Sequence, residues 1–144
     1  MNILDKLAQG VTARSDADLQ SVATELAKEL PNDAVITLEG DLGAGKTTFV
    51  KGFAKAWNIE AIVTSPTYNI YQTYSGDRNL VHMDAYRLEP SIDIFDELML
   101  EDFLVSPFCL AIEWPSKLGE LPWSVFLSLN ISITDNDSRL IEAK

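Results

Sequence analysis

The run Gly40-Asp41-Leu42-Gly43-Ala44-Gly45-Lys46-Thr47 constrains this chain more than any other stretch, because it fits the pattern G-x-x-x-x-G-K-[ST] in full. Its glycines let the backbone curl so that several N–H groups converge on an anion. A helix that begins at once adds its positive dipole end. In this pattern Lys46 reaches the β- and γ-phosphates of a nucleotide, and the Thr47 hydroxyl ligates Mg²⁺. Thr48 is placed to donate to the α-phosphate. The candidate nucleotide-binding residues are therefore Asp41, Leu42, Gly43, Ala44, Gly45, Lys46, Thr47 and Thr48. With seven Gly, seven Lys and twenty Ser plus Thr in 144 residues, an accidental match has a chance of about 0.2%, ignoring residue order. A glycine-rich turn that binds nothing is thus the poorer reading.

The surroundings fit the motif. Residues 34–38 read as a buried strand, and 46–57 as a helix with Phe49, Val50, Phe53, Ala54 and Trp57 on one face. Before them, Ser15 caps a helix over 16–29, with Leu19, Val22, Ala23, Leu26, Ala27 and Leu30 at helical spacing. Beyond them, 67–74 and 80–86 are strand-like and joined through Ser75-Gly76-Asp77, which predicts an antiparallel hairpin. An acidic helix is expected over 91–104, a short apolar strand over 108–112, and a second hairpin over 124–143 turning at Asp135-Asn136-Asp137. Strand, loop and helix followed by hairpins predict an α/β fold: one P-loop nucleoside triphosphate hydrolase domain over residues 1–144, its mixed central sheet flanked by helices.

Charge narrows the partners. Eleven Lys and Arg face 22 Asp and Glu, a net charge of −11. Phosphate backbones are gripped mainly by basic clusters, so tight direct nucleic-acid binding is not expected. The single cysteine, Cys109, builds no internal disulfide framework, and its apolar neighbours predict a buried thiol. Met1 to Gly10 lack a basic start followed by an apolar run, and no stretch approaches a membrane span. These features point to a cytoplasmic protein with no membrane association.

A nucleotide hydrolase also needs an acid near the metal, commonly where an apolar strand ends. Glu113 closes Cys109-Leu110-Ala111-Ile112 and precedes Trp114-Pro115. Beside a complete phosphate loop it is read as functional rather than merely solvent-facing. Asp84 is the second candidate. Alternation in Val81-His82-Met83-Asp84-Ala85-Tyr86 puts His82, Asp84 and Tyr86 on one face, which on pattern alone reads as solvated. His82 is read as a packed or hydrogen-bonding residue rather than a metal ligand. Thr64-Ser65-Pro66-Thr67 is a rigid, hydroxyl-rich segment that ordinary turn chemistry accounts for. Five acids between Asp93 and Asp102, with Ile94, Phe95 and Leu98 among them, read as a solvated helix face or as a docking surface for a basic partner. No N-K-x-D motif is present to read guanine, which favours adenine. The arginines, Arg14, Arg78, Arg87 and Arg139, are too scattered for the usual phosphoryl-transfer cluster of a small-molecule kinase. That kinase and a non-hydrolysing, nucleotide-gated module are the rival readings.

Several segments together resemble the TsaE (YjeE) family of bacterial P-loop ATPases: the phosphate loop through Thr48, Thr64-Ser65-Pro66-Thr67-Tyr68, His82-Met83-Asp84-Ala85-Tyr86-Arg87-Leu88, Glu97-Leu98 and Glu113-Trp114-Pro115. Their order and spacing fit from about residue 12 to 142. The resemblance implies an ATPase that works beside the proteins TsaD and TsaB and supports threonylcarbamoylation of the adenosine next to the anticodon in ANN-decoding tRNAs. The transfer chemistry itself would belong to TsaD. The likeness assigns the phosphates to Gly43, Gly45, Lys46 and Thr48, and Mg²⁺ to Thr47 and Glu113. It makes Asp84, with Glu113, a hydrolysis residue, Ser65-Pro66-Thr67 a switch-like segment, and Trp114 a support of the site. Hydrolysis is expected to be slow alone and raised by the partners.

Overall fold

The computed structural model describes residues 1–66, 69–89 and 94–144. Its centre is β2, Asp33–Glu39, a seven-residue strand whose Ala34 to Leu38 are all buried. Burial on both faces is what a continuous apolar run buys in a parallel sheet, and both flanking pairings are indeed parallel. The partners are β5, Phe108–Glu113, and β6, Leu127–Ile133. Outside β5 lies β4, Asn79–Asp84, also parallel, and then β3, Tyr71–Ser75, antiparallel. Outside β6 lie β7, Arg139–Ala143, and a three-residue β1, Val11–Ala13, both antiparallel to their neighbours. The seven-stranded sheet therefore runs β1-β7-β6-β2-β5-β4-β3.

Three helices cover one face. Helix α1, Ile3–Gln9, starts at Asn2, whose side chain accepts the Asp5 N–H. Helix α2, Asp16–Ala27, starts at Ser15, whose hydroxyl accepts the Asp18 N–H. Helix α3, Lys46–Ala56, springs from the phosphate loop and buries Phe49, Val50 and Phe53. Phe49, Phe53 and Trp57 follow one another along its inner side, with ring centroids 5.5 and 5.3 Å apart. Alternation sends Ile36, Leu38, Leu80, Cys109 and Ala111 to this face, and Val35, Val81, Met83, Leu110 and Ile112 to the other. The second face is covered by α4, Ile94–Leu98, a 3₁₀ turn at Leu100–Phe103, and Leu118. Cys109 is fully buried, and burial pushes its thiol up to about 12. No helix among the described residues is long and apolar enough to cross a membrane.

Three expectations need correction. The acidic segment is no continuous helix over 91–104: Met99 adopts a left-handed φ of 53°, which ends α4 and starts the 3₁₀ turn, while residues 91–93 lie outside the described residues. The strand expected over 67–74 is assigned only from Tyr71, with Thr67 and Tyr68 outside the described residues. The polar face of β4 is not solvated: His82 and Asp84 are 0% and 5% exposed, because that face looks towards α3.

Candidate active site

Strands β2, β5 and β4 end side by side, Leu38 paired with Glu113 and Glu113 with Asp84. Parallel strands that stop together leave their following loops around one crevice, the general ligand position of such sheets. Here it is a cleft of about 340 Å³. The phosphate loop contributes Leu42, Gly43, Gly45, Lys46, Thr47 and Thr48, and the strand ends contribute Asp84 and Glu113. Ser65, Tyr86, Arg87 and Trp114 close the rim.

The loop geometry explains two of its glycines. Gly40 has φ 153°, and a Cβ there would stand 2.3 Å from the Ile131 carbonyl oxygen of β6. Gly45 is the N-cap of α3 with φ 112°, and a Cβ would meet the Leu19 side chain at 2.6 Å. Only a residue without a side chain lets the loop pass between α2 and the sheet. Beyond Gly45 the first-turn N–H groups of α3 have no intrahelical acceptor, a geometry that suits an anion.

Lys46 is 5% exposed, yet its ammonium is well occupied. Nζ donates to the carbonyls of Gly40 at 2.6 Å and Asp41 at 2.9 Å, and lies 4.5 Å from the Trp114 ring centre. Burial holds this ammonium below the ordinary lysine value, against the opposing pull of Glu113, Asp84, Glu39 and Asp41. Trp114 itself sits at φ 60°, an unfavourable conformation for a bulky residue. Its N–H donates to the Leu38 carbonyl at 3.1 Å and its ring packs on Tyr86 with 5.0 Å between centroids, and these contacts hold it there.

The acids are equally tied. Glu113 Oε2 accepts the Thr47 hydroxyl at 2.8 Å and meets His82 Nε2 at 2.5 Å. Asp84 Oδ1 accepts the Tyr86 N–H at 2.9 Å and Oδ2 accepts the Ser65 hydroxyl at 3.2 Å. From outside the cleft, Arg139 of β7 donates through Nε to the Ala44 carbonyl at 2.9 Å and through Nη2 to that of Gly43 at 3.4 Å.

The family model "Threonylcarbamoyl adenosine biosynthesis protein TsaE" matches residues 13–141. The chain belongs to the TsaE family. It is 42% identical to the tRNA threonylcarbamoyladenosine biosynthesis protein TsaE of Bacillus subtilis over 112 residues, covering 77% of this chain and 68% of that one. Against the Aquifex aeolicus TsaE the identity is 36% over 139 residues, 94% and 96% of the two chains. The crystal structure of Bacillus subtilis YdiB superposes with a TM-score of 0.73 at 35% identity, covering 92% of this chain and 81% of that one. The P-loop fold expected from the sequence is thereby established.

Within this TsaE fold most of the expected site residues meet in the cleft, but not all. Asp41 and Ala44 belong to the loop without lining the cleft, and Leu42 lines it while 64% exposed. Pro66 is buried beside the rim, and Thr67 lies outside the described residues. His82, expected to be packed or hydrogen-bonded and given no catalytic role, is both buried and bonded to Glu113, on the face that alternation shares with Asp84. The Arg139 contacts carried no local signal, since they join positions 95 and 96 residues apart. The oxygen donors suit Mg²⁺, which binds one or two protein oxygens and takes its other ligands from water and nucleotide phosphates. The Thr47 hydroxyl and the Glu113 carboxylate, already in contact, are such a pair.

Proposed function

We propose that this chain is a Mg²⁺-dependent ATPase that supports threonylcarbamoylation of the adenosine next to the anticodon in ANN-decoding tRNAs, acting with the TsaD–TsaB transferase. The observation that carries this reading is the convergence, in a TsaE-family chain, of a full phosphate loop with Asp84 and Glu113 on one cleft. The α3 N-terminus and Lys46 bind the phosphates of ATP. Lys46 leaves the carbonyls of Gly40 and Asp41 to meet the γ-phosphate. Thr47 and Glu113 hold Mg²⁺, which supplies neutralisation of charge on the phosphate oxygens. Asp84, kept in place by the Tyr86 N–H and the Ser65 hydroxyl, orients the attacking water and accepts its proton. As the water oxygen bonds to the γ-phosphorus, the bond to the bridging oxygen breaks and ADP leaves. Ser65-Pro66-Thr67 is the switch-like segment, and Trp114 supports the site from Lys46.

The charge agrees with a division of labour. At −11 the chain is poorly suited to hold tRNA, and it need not if it acts on the protein that does. The test is ATP hydrolysis with Mg²⁺ by the purified chain, alone and with TsaD and TsaB. Slow turnover that rises with the partners is expected. Equal rates in both conditions would remove the partner step. ATP binding with no ADP in either would make this a nucleotide-gated module, and ADP formed only with a metabolite acceptor would make it a kinase.

A further inference from the structure

Strand β4 carries a histidine where the sheet offers an apolar position. His82 lies between Gln72 of β3 and Ala111 of β5, two residues after the core residue Leu80, and is fully buried. Its Nε2 meets Glu113 Oε2, while its Nδ1 has no hydrogen-bond partner among the described residues. A buried polar atom left without a partner costs about 1–3 kcal/mol, which a leucine or valine here would avoid. What the imidazole offers in return is the contact of its other nitrogen with Glu113. The carboxylate is the acceptor Nε2 faces, so the pattern of contacts makes Nε2 the donor.

The same Glu113 oxygen also accepts the Thr47 hydroxyl. Under the function proposed above, that hydroxyl has to turn its lone pairs to Mg²⁺ when nucleotide arrives, and its grip on Glu113 changes. The His82 grip does not, because the ring is locked in the sheet between two neighbouring strands. We propose that His82 is a positioning residue: it holds the Glu113 carboxylate at the metal position while Thr47 exchanges partners. It touches neither nucleotide nor metal in this role. Partners of this kind, one step removed from the ion, typically contribute about 10–100-fold to metal affinity.

The inference rests on the Mg²⁺–nucleotide reading of the cleft, and its test separates the two. His82→Gln keeps an amide N–H near the position of Nε2. His82→Asn is shorter and cannot reach Glu113, and His82→Leu has no donor. Binding of a non-hydrolysable ATP analogue is measured by calorimetry in EDTA and then across a MgCl₂ titration, with circular dichroism to confirm the fold. Affinity in EDTA should be the same in all four proteins. The Mg²⁺ concentration for half-maximal tightening should rise about 10-fold or more in the Asn and Leu variants, and stay within about 3-fold of wild type in the Gln variant. Should leucine disturb the fold, the Gln and Asn pair, differing by one methylene, carries the test alone. A folded Asn variant with wild-type Mg²⁺ dependence would overturn the proposal, as would a Gln variant as weak as the Asn one. Wild-type protein whose binding ignores Mg²⁺ would instead overturn the function reading and this inference with it.

Discussion

Lysine 46 offers a way to separate function from stability, because the structure gives its charge a cost as well as a use. Lys46→Met keeps the apolar stem and removes the ammonium. In the folded protein that ammonium gains two charged hydrogen bonds, to Gly40 and Asp41, and a place over the Trp114 ring. Such bonds contribute about 1.5–3 kcal/mol each, and the ring about 1 kcal/mol. Against this stands the desolvation of a buried cation, of order several kcal/mol. The two sides nearly cancel. The direction of the pKa shift says which is larger: burial holds Lys46 below 10.5 despite four nearby carboxylates, so its protonated form is disfavoured on folding. A base whose folded-state pKa is depressed adds stability as pH rises from that folded value towards 10.5. At pH 7 the methionine variant should therefore melt within about 3 °C of wild type or above it. Any advantage of methionine should shrink as pH climbs through that window. ATP hydrolysis, by contrast, should fall by at least about 10²-fold. Thermal melts at pH 7 to 10 and an ADP-release assay read both quantities. A drop of more than about 8 °C would make Lys46 a structural bolt of the loop, and wild-type turnover would take it out of phosphate binding.

Other positions give opposite signatures. Asp84→Asn removes the proton acceptor but keeps the contacts' shape, so hydrolysis should fall about 10²-fold with little change in melting; an unchanged rate would return Asp84 to a structural role. Arg78→Met should do the reverse. Its Nη2 holds the carbonyls of Pro31, Asn32 and Phe108 at the end of the sheet far from the cleft, so urea melts should show about 2–4 kcal/mol lost with turnover per folded molecule retained. Gly52→Ala sets helix propensity against space: alanine favours α3 by about 1 kcal/mol, yet its Cβ would stand 2.5 Å from both the Ala23 Cβ and the Gln20 carbonyl oxygen of α2. A net loss of about 1–3 kcal/mol is expected; a gain in stability would show that α2 yields freely.

What the sequence made legible was local. Strand β2, the glycine loop and α3 are consecutive, and their chemistry and periodicity are written in adjacent residues. Glu113 was legible for a similar reason, an acid closing an apolar strand. Helix α1 was not, because seven residues with Ile3 and Leu7 buried hold too little periodicity to register. Strand β1 is three residues long and exists by pairing with β7, 126 positions away at Ala13↔Arg139 and 130 at Val11↔Ile141. Alternation in β4 named the right face but not its environment. A polar pair on one face reads as solvated until α3 is known to lie over it. The His82–Glu113 contact likewise depends on β4 lying beside β5, which no local signal sets.

The loop is also held ready by groups that act in different ways. Lys46 and Thr47 occupy the Gly40, Asp41 and Glu113 oxygens, contacts that phosphate and metal would replace with stronger ones. Arg139 is different, because it grips the Ala44 carbonyl from outside the cleft. In a trans peptide the N–H points opposite to the C=O. Anchoring the Ala44 carbonyl outward therefore aims the Gly45 N–H the other way, and Gly45 lines the cleft. Under the proposed function, phosphate binding would break the first two contacts and keep the third. The C-terminal hairpin, which contributes no residue to the cleft lining, thus sets the orientation of a donor within it, and on the proposed function the loop would not have to be ordered anew by each nucleotide.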